Sequence, residues 1–183
     1  LFYLTARTIK RTVAEEAFEI LRGMGLHFKS ITITAKEKMC FCDEMDCDPQ
    51  KCAYAKGHYD RVNDAVYELW TRTETFNRET ILAQAEKYRV CPFEMTLDLA
   101  IWMDGVVCDY NYVFDPDVYL KRFFGENVKG KYIFLIDEAH NLVERGREMY
   151  SASISKEEIE DARKFSRPYS SRLYRMLGKA AKQ

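Results

Sequence analysis

Ile133-Phe134-Leu135-Ile136-Asp137-Glu138-Ala139-His140 is an apolar run that stops at two adjacent carboxylates, followed by a small residue and a histidine. A strand covered on both faces reads as such a continuous run, and in an open parallel sheet ligands gather beyond the carboxyl ends of the strands. Asp137 and Glu138 are therefore expected at the ligand edge of an α/β sheet. Paired acids there suit nucleotide hydrolysis: the first helps hold the Mg²⁺ that bridges the terminal phosphates, and its neighbour orients and deprotonates the attacking water. The other reading is that both acids cap the following helix. Four residues alone leave the two open.

Working outward, the same architecture recurs. Leu1-Phe2-Tyr3-Leu4 reads as a strand, and with no Met or polar lead-in before it the chain reads as a piece of a longer one. Thr12 and Glu15 stand at capping-box spacing, and Ala14, Ala17, Phe18 and Leu21 recur at helical spacing until Gly23 or Gly25. Ser30-Ile31-Thr32-Ile33-Thr34 alternates with β-branched residues as a strand does. Strand, helix, strand is the unit of a parallel α/β sheet. The sheet resumes at Gly105–Tyr110 and, after a helix opened by Asp115-Pro116, at the strand ending in Asp137.

Between these halves the periodicity fails. Charges, Pro49 and cysteines fill residues 35–52, and helices are expected near Tyr59–Trp70, over Arg78–Tyr88 behind an Asn77 cap, and over Pro92–Met103 with proline at the first position. An α/β domain is thus interrupted by a small helical insert of the size at which a metal helps hold a fold together. Beyond His140 a helix runs to about Tyr150, Ser155-Lys156-Glu157-Glu158 opens another, and the basic stretch from Arg167 is helical in pattern.

Composition bounds the function. Hydrophobic residues make up 47% and charged residues 31%, as in an ordinary globular protein. A net charge of -1 gives no global attraction to nucleic acid, so any such role rests on local features. No apolar run reaches the roughly 18 residues that span a bilayer, and a cytoplasmic protein with no membrane partner is expected.

Five of the six cysteines, Cys40, Cys42, Cys47, Cys52 and Cys91, fall in the insert. Cytosolic proteins rarely use disulfides, so the cluster points to metal or redox work. Four thiolates can enclose zinc or an iron–sulfur cluster, and only Cys42-x₄-Cys47 and Cys47-x₄-Cys52 approach zinc-knuckle spacing, so spacing leaves both metals open beside free buried cysteines. Cys42, one residue removed from Cys40, is expected to point away from a metal that Cys40 holds. Cys108, inside an apolar strand, is expected to be a core hydrophobe.

Taken together, Thr5-Ala6-Arg7-Thr8, Lys36-Glu37-Lys38-Met39-Cys40, the run Cys47–Gly57, Cys91-Pro92-Phe93, the run Cys108–Pro116 and Asp137-Glu138-Ala139-His140 resemble the XPD/DinG group of Rad3-related superfamily 2 DNA helicases. The match covers residues 1 to about 150 in order. The resemblance implies a RecA-like P-loop motor domain, here residues 1–34 and 104–150, interrupted by a 4Fe–4S domain at 35–103, with a helical arch domain beginning at 151–183. It implies ATP-dependent 5′–3′ unwinding of DNA in repair or replication, with single-stranded or forked DNA as partner and a 4Fe–4S cluster, Mg²⁺ and ATP as cofactors.

Residue by residue, the resemblance makes Cys40, Cys47, Cys52 and Cys91 the cluster ligands, with Cys42 as an alternate. It makes Asp137 the Mg²⁺-holding acid and Glu138 the water-activating one, and gives His140 a part in coupling the nucleotide site to the other motifs. Arg7 and Thr8 look like the motif that contacts the single-stranded backbone. Lys36, with Lys38 and Lys56, flanks the cluster and can line a DNA path, although residues 36–56 carry four basic against five acidic side chains. Tyr110, Asn111 and Tyr112 match a strand-end segment whose expected role is packing.

One departure matters. No Gly-x-x-x-x-Gly-Lys-Ser/Thr occurs in these 183 residues, so this chain alone is expected to hydrolyse no ATP. The rival expectation is a zinc-binding interaction module on a vestigial motor fold, against which the intact acid pair argues. A redox enzyme built on an iron–sulfur centre lacks a second cofactor motif.

Overall fold

The structure is a computed structural model that describes residues 1–6 and 8–182, with their side chains apart from those of Thr8, Ile9, Lys10 and Thr75. Five parallel strands, β1 (Phe2–Thr5), β2 (Ser30–Thr32), β3 (Thr75–Phe76), β4 (Gly105–Asp109) and β5 (Phe134–Ile136), lie in the order β3-β2-β4-β1-β5. Register sets the faces. Phe2 pairs with Val106 and Leu4 with Cys108, and all four face a core shared with the insert's helices, whereas Tyr3 and Val107 turn to the opposite face.

Each face has its own cover. Helix α1 (Thr8–Gly23) lays Ala14 and Phe18 against Val107. The other face carries α3 (His58–Arg72), α4 (Arg78–Tyr88) and α5 (Pro92–Ala100), whose Val62, Ala65, Ile81, Ala85, Met95 and Leu99 are buried with Phe2, Leu4 and Ile31. With both faces covered, the central β4 can be apolar at successive positions, and Val106, Val107 and Cys108 are all buried. Burial pushes the Cys108 thiol pKa upward, in keeping with a packing role.

Several sequence expectations are met in detail and others are corrected. Asn77 caps α4, its Oδ1 accepting the Thr80 N–H at 2.9 Å, and Pro92 opens α5 behind Cys91. Thr12, however, lies inside α1, which begins at Thr8, and Ala17 and Leu21 are exposed. Asp115-Pro116 does not open a helix. It follows the turn α6 (Asn111–Phe114), and Asp115 takes the extended ψ of 123° that a following proline favours; the next helix is the short α7 (Lys121–Phe124). The strand at 133–136 is not covered on both faces, for β5 is the edge strand, bonded only to β1, and Ile133, Phe134 and Leu135 are exposed. Strand β3, two residues long, was not anticipated; it pairs with β2 and ties the insert to the sheet.

Polar ties add to that seam. Lys29 donates from Nζ to the carbonyls of Trp70 (2.6 Å) and Thr73 (3.2 Å) at the C-terminal end of α3, and sits 4.5 Å over the Trp70 ring. Within the insert, Glu68 accepts hydrogen bonds from Lys87 (2.6 Å), Tyr88 and Gln84, and pairs with Arg72. Lys87 and then Tyr88 hold its carboxyl at a pKa of about 2, against an ordinary 4.5. A depressed carboxylate contributes stability that is present above pH 4.5 and lost as pH falls through 2. The Tm of the wild type is therefore expected to fall more steeply between pH 5 and 2 than that of Glu68→Gln. Parallel Tm profiles for the two proteins would remove Glu68 from the account.

The chain forms two compact units, Leu1–Met149 and Tyr150–Gln183. The second is a helical pair. Helix α9 (Lys156–Ser166) opens with a capping box in which Ser155 Oγ accepts the Glu158 N–H and Glu158 accepts the Ser155 N–H. It packs on α10 (Ser171–Ala180), with Arg163 lying 4.4 Å over the Tyr174 ring. No helix among the described residues is long and apolar enough to cross a membrane.

Candidate nucleotide, metal and nucleic-acid sites

The carboxyl ends of β4, β1 and β5 stand side by side, since Thr5 pairs with Asp109 and Leu4 with Ile136. Asp137 donates its N–H to Leu4 O at 2.9 Å, so the ladder runs up to the first acid of the motif. Glu138 then turns into the left-handed region at φ 51°, a conformation that costs a non-glycine residue roughly 1–2 kcal/mol. It leads into a 3₁₀ turn, Ala139–Asn141, and α8 (Leu142–Met149). Glu138 stands at the N-cap of that turn, but its side chain makes no cap hydrogen bond. Glu138 Oε2 instead lies 3.4 Å from His140 Nδ1. From the end of β4 the fully buried Tyr110 donates its hydroxyl to the carbonyls of Asp137 and Glu138. The packing role expected of Tyr110 is thus joined by a tie that fixes the acid turn. Arg7 lies outside the described residues, as does the side chain of Thr8.

All four expected cysteine ligands, together with Cys42, line one cavity of about 230 Å³. They arrive from three segments. Cys40 ends α2 (Lys36–Met39), Cys52 closes a turn by donating its N–H to Asp48 O at 2.8 Å, and Cys91 is the residue from which α5 starts. The N–H groups of Glu94 and Phe93 bond to the Cys91 sulfur and favour thiolate, but burial dominates and leaves its pKa raised. Lys36 reaches the Cys47 thiol, and that hydrogen bond raises the lysine pKa.

Cys42 does not point away. Extended residues two apart share a face, and here the chain also bends, so that Cys42 N–H donates to Cys40 Sγ at 3.4 Å and Cys42 Sγ lies 3.9 Å from Cys52 Sγ. The neighbouring Cys52 thiol is the main reason that the Cys42 pKa is pushed up to about 11. Among the described residues no three His, Cys, Asp or Glu side chains converge on a single-ion position. The donors border a cavity several times the ~30 Å³ share of one water. A soft, all-thiol donor set gathered on one cavity fits a thiolate-bound metal group.

Two adjacent residues support this cavity, one of which, His58, sequence inspection passed over. His58 is 4% exposed and accepts the Cys91 N–H on Nδ1 at 3.2 Å. Gly57 precedes it at φ 65°, where an added Cβ would come within 2.6 Å of Arg61 Nη1.

Beside the cavity, and sharing Lys36, Phe93 and Glu94 with it, runs a groove of about 860 Å³. Its cations are Arg11, Lys36, Lys38, Lys121, Arg122 and Arg145, against four acids, with Phe93, Tyr112 and Tyr119 among its aromatics. Arg145, from α8, bonds to Asn111 Oδ1 (2.8 Å) and lies 3.4 Å from Asp109 Oδ1, which links the helix after the acid turn to the groove wall. Of the three lysines that flank the cysteines in sequence, Lys36 and Lys38 line this groove, whereas Lys56 is not among the residues lining it.

A parallel sheet with helices on both faces and an Asp-Glu-Ala-His turn at its carboxyl edge defines a fragment of a RecA-like motor domain. The chain belongs to the DEAD_2 family, whose model matches residues 11–159, and is of the XPD/DinG, Rad3-related type. It is 29% identical over 115 residues to the Fanconi anemia group J protein homolog of Gallus gallus, covering 62% of this chain and 9% of that protein. It is 24% identical over 128 residues to the ATP-dependent DNA helicase CHL1 of Kluyveromyces lactis, covering 70% of this chain and 16% of that one. Its fold matches a solved structure described as truncated XPD with a TM-score of 0.56 at 21% identity, over 100% of this chain and 52% of the other. The chain thus spans less than a fifth of the length of these two relatives.

Proposed function

We propose that this chain is the part of an ATP-driven 5′–3′ DNA helicase that holds a 4Fe–4S cluster and guides single-stranded DNA past it. The observation that carries this reading is the convergence of Cys40, Cys47, Cys52 and Cys91 on one cavity that opens beside a cationic groove. Four thiolates would hold the cluster, which would supply a rigid cross-link among three chain segments. In the nucleotide site Asp137 would hold the Mg²⁺ of bound ATP, and Glu138 would take the proton of the attacking water. Tyr110 keeps both acids in place through their carbonyls, and the Arg145 tie to Asn111 gives the acid turn a mechanical link to the groove.

In the groove, amines and guanidinia would track phosphates while Phe93 and Tyr119 offer faces to bases, a combination suited to binding without sequence preference. Anisotropy of a labelled single-stranded oligonucleotide, titrated at several salt concentrations, tests this. The wild type is expected to bind with an affinity that falls as salt rises. The pair Lys38→Ala, Lys121→Ala is expected to weaken binding equally for mixed sequences and to reduce the log–log salt slope by about 1.4, near 0.7 per phosphate contact. An unchanged slope would place the DNA elsewhere.

A further inference from the structure

Thirty-eight residues separate Cys52 from Cys91, yet both line the same cavity, so part of the fold must hold the two segments together. Two side chains of α3, one turn apart, do this. Arg61 donates from Nε to Tyr88 O (2.9 Å) and from Nη2 to the carbonyls of Arg89 (2.6 Å) and Lys56 (2.8 Å). One guanidinium therefore clamps the chain just before Cys91 to the chain just after Cys52. His58 completes the clamp at Cys91 itself, accepting its N–H on Nδ1.

That bond fixes the chemistry of the ring. A nitrogen that accepts a hydrogen bond carries no proton, so the imidazole is neutral with its proton on Nε2. Nε2 is buried and meets no hydrogen-bond partner among the described residues; the nearest carboxylate oxygen, Asp98 Oδ2, is 4.0 Å away. Asp98 is held from its other oxygen by Arg122 at 2.9 Å, which also reaches Glu94 at 3.2 Å. Nδ1 is therefore committed to the backbone of Cys91, and Nε2 lies toward an anchored carboxylate of α5. Neither nitrogen is disposed as a metal ligand, although His58 borders the cavity.

We propose that His58 is the positioning residue for Cys91: its Nδ1 grips the Cys91 peptide so that the thiol at the start of α5 stays turned to the cavity, and this grip sets how firmly the cavity retains its cluster. The inference rests on the iron–sulfur reading above. Groups that orient a ligand from outside the coordination sphere commonly alter metal retention by roughly 10–100-fold when removed.

The test compares wild type with His58→Asn, His58→Gln and His58→Leu, all purified anaerobically. Asparagine places its Oδ1 near the position of Nδ1, whereas glutamine reaches toward that of Nε2. Iron loss to excess EDTA is followed in the visible spectrum, and the reduced proteins are compared by electron paramagnetic resonance. His58→Leu and His58→Gln are expected to lose iron at least tenfold faster than wild type, and His58→Asn within about twofold of it, with unchanged g-values throughout. If the leucine variant does not fold, the polar Asn and Gln pair still decides.

Loss from Asn as fast as from Gln, or equal rates in all four proteins, would overturn the positioning role. Shifted g-values in the Asn variant would do the same by making His58 a ligand. Wild-type protein without iron would overturn the iron–sulfur reading and this inference together, whereas iron-loaded wild type with equal loss rates overturns this one alone.

Discussion

Exchanging Cys52 for serine is expected to remove all the iron while leaving the sheet folded. Cys52 lines the cavity with its thiol 3.9 Å from that of Cys42, and its carbonyl accepts the N–H groups of Ala55 and Lys56, so the loop that carries it leads straight into α3. A serine hydroxyl ionises far less readily than a thiol and is a harder, poorer ligand for an iron–sulfur group. Ligation free energy in such sites is conformational free energy, and the loop 40–57 carries no regular helix or strand, its backbone held by local turns and the Arg61 tie at Lys56. The helices behind it are a different matter. Val62, Leu69, Ile81, Met95 and Leu99 are buried in a core continuous with Phe2, Leu4 and Ile31, so α3, α4 and α5 remain docked without metal. Helical circular dichroism should therefore change little, while trypsin gains access at Lys51 and Lys56. Cys42→Ser, by contrast, is expected to keep its iron; retention in Cys40→Ser with loss in Cys42→Ser would exchange the roles of those two thiols.

The second large effect lies in the acid turn. In a longer chain that also carries a phosphate-binding loop, Glu138→Gln is expected to lower ATP turnover by roughly 10²–10⁴-fold, the usual contribution of a positioned general base. The substitution keeps the side chain's length and the left-handed backbone at φ 51° but removes the proton acceptor. Neither the β5 ladder, which reaches Asp137 N–H through Leu4 O, nor the Tyr110 tie depends on the Glu138 carboxylate, so nucleotide binding should survive. Phosphate release and nucleotide affinity, measured on the same preparation, separate the two quantities. Turnover within threefold of wild type would remove Glu138 from the role of base.

Much of this arrangement is legible before any fold is known, because it rests on local chemistry. The Gly105–Tyr110 run announces a strand, Asn77 announces α4, and adjacent acids after an apolar run announce the carboxyl end of another strand. What escapes depends on distant partners. The two residues of β3 show no period of their own and are strand only because β2 lies alongside. The exposure of β5 follows from its place at the sheet edge, not from its residues. Lys121, Arg122 and Arg145 read as ordinary surface charges until the chain brings them to one groove with Lys36 and Arg11. His58 is one of three histidines, and only the approach of Cys91 gives its Nδ1 a task. Cys42 was misjudged for a nearer reason, since residues two apart in extended chain share a face and the bend after Cys40 tightens the approach.

The most direct test is the metal content of anaerobically purified protein: iron, acid-labile sulfide and zinc per chain, with a visible spectrum. About four irons and four sulfides with a broad band near ~400 nm, all lost in Cys52→Ser, are predicted. One zinc per chain with no visible band would contradict the account and make the cavity a structural zinc site on a motor fold.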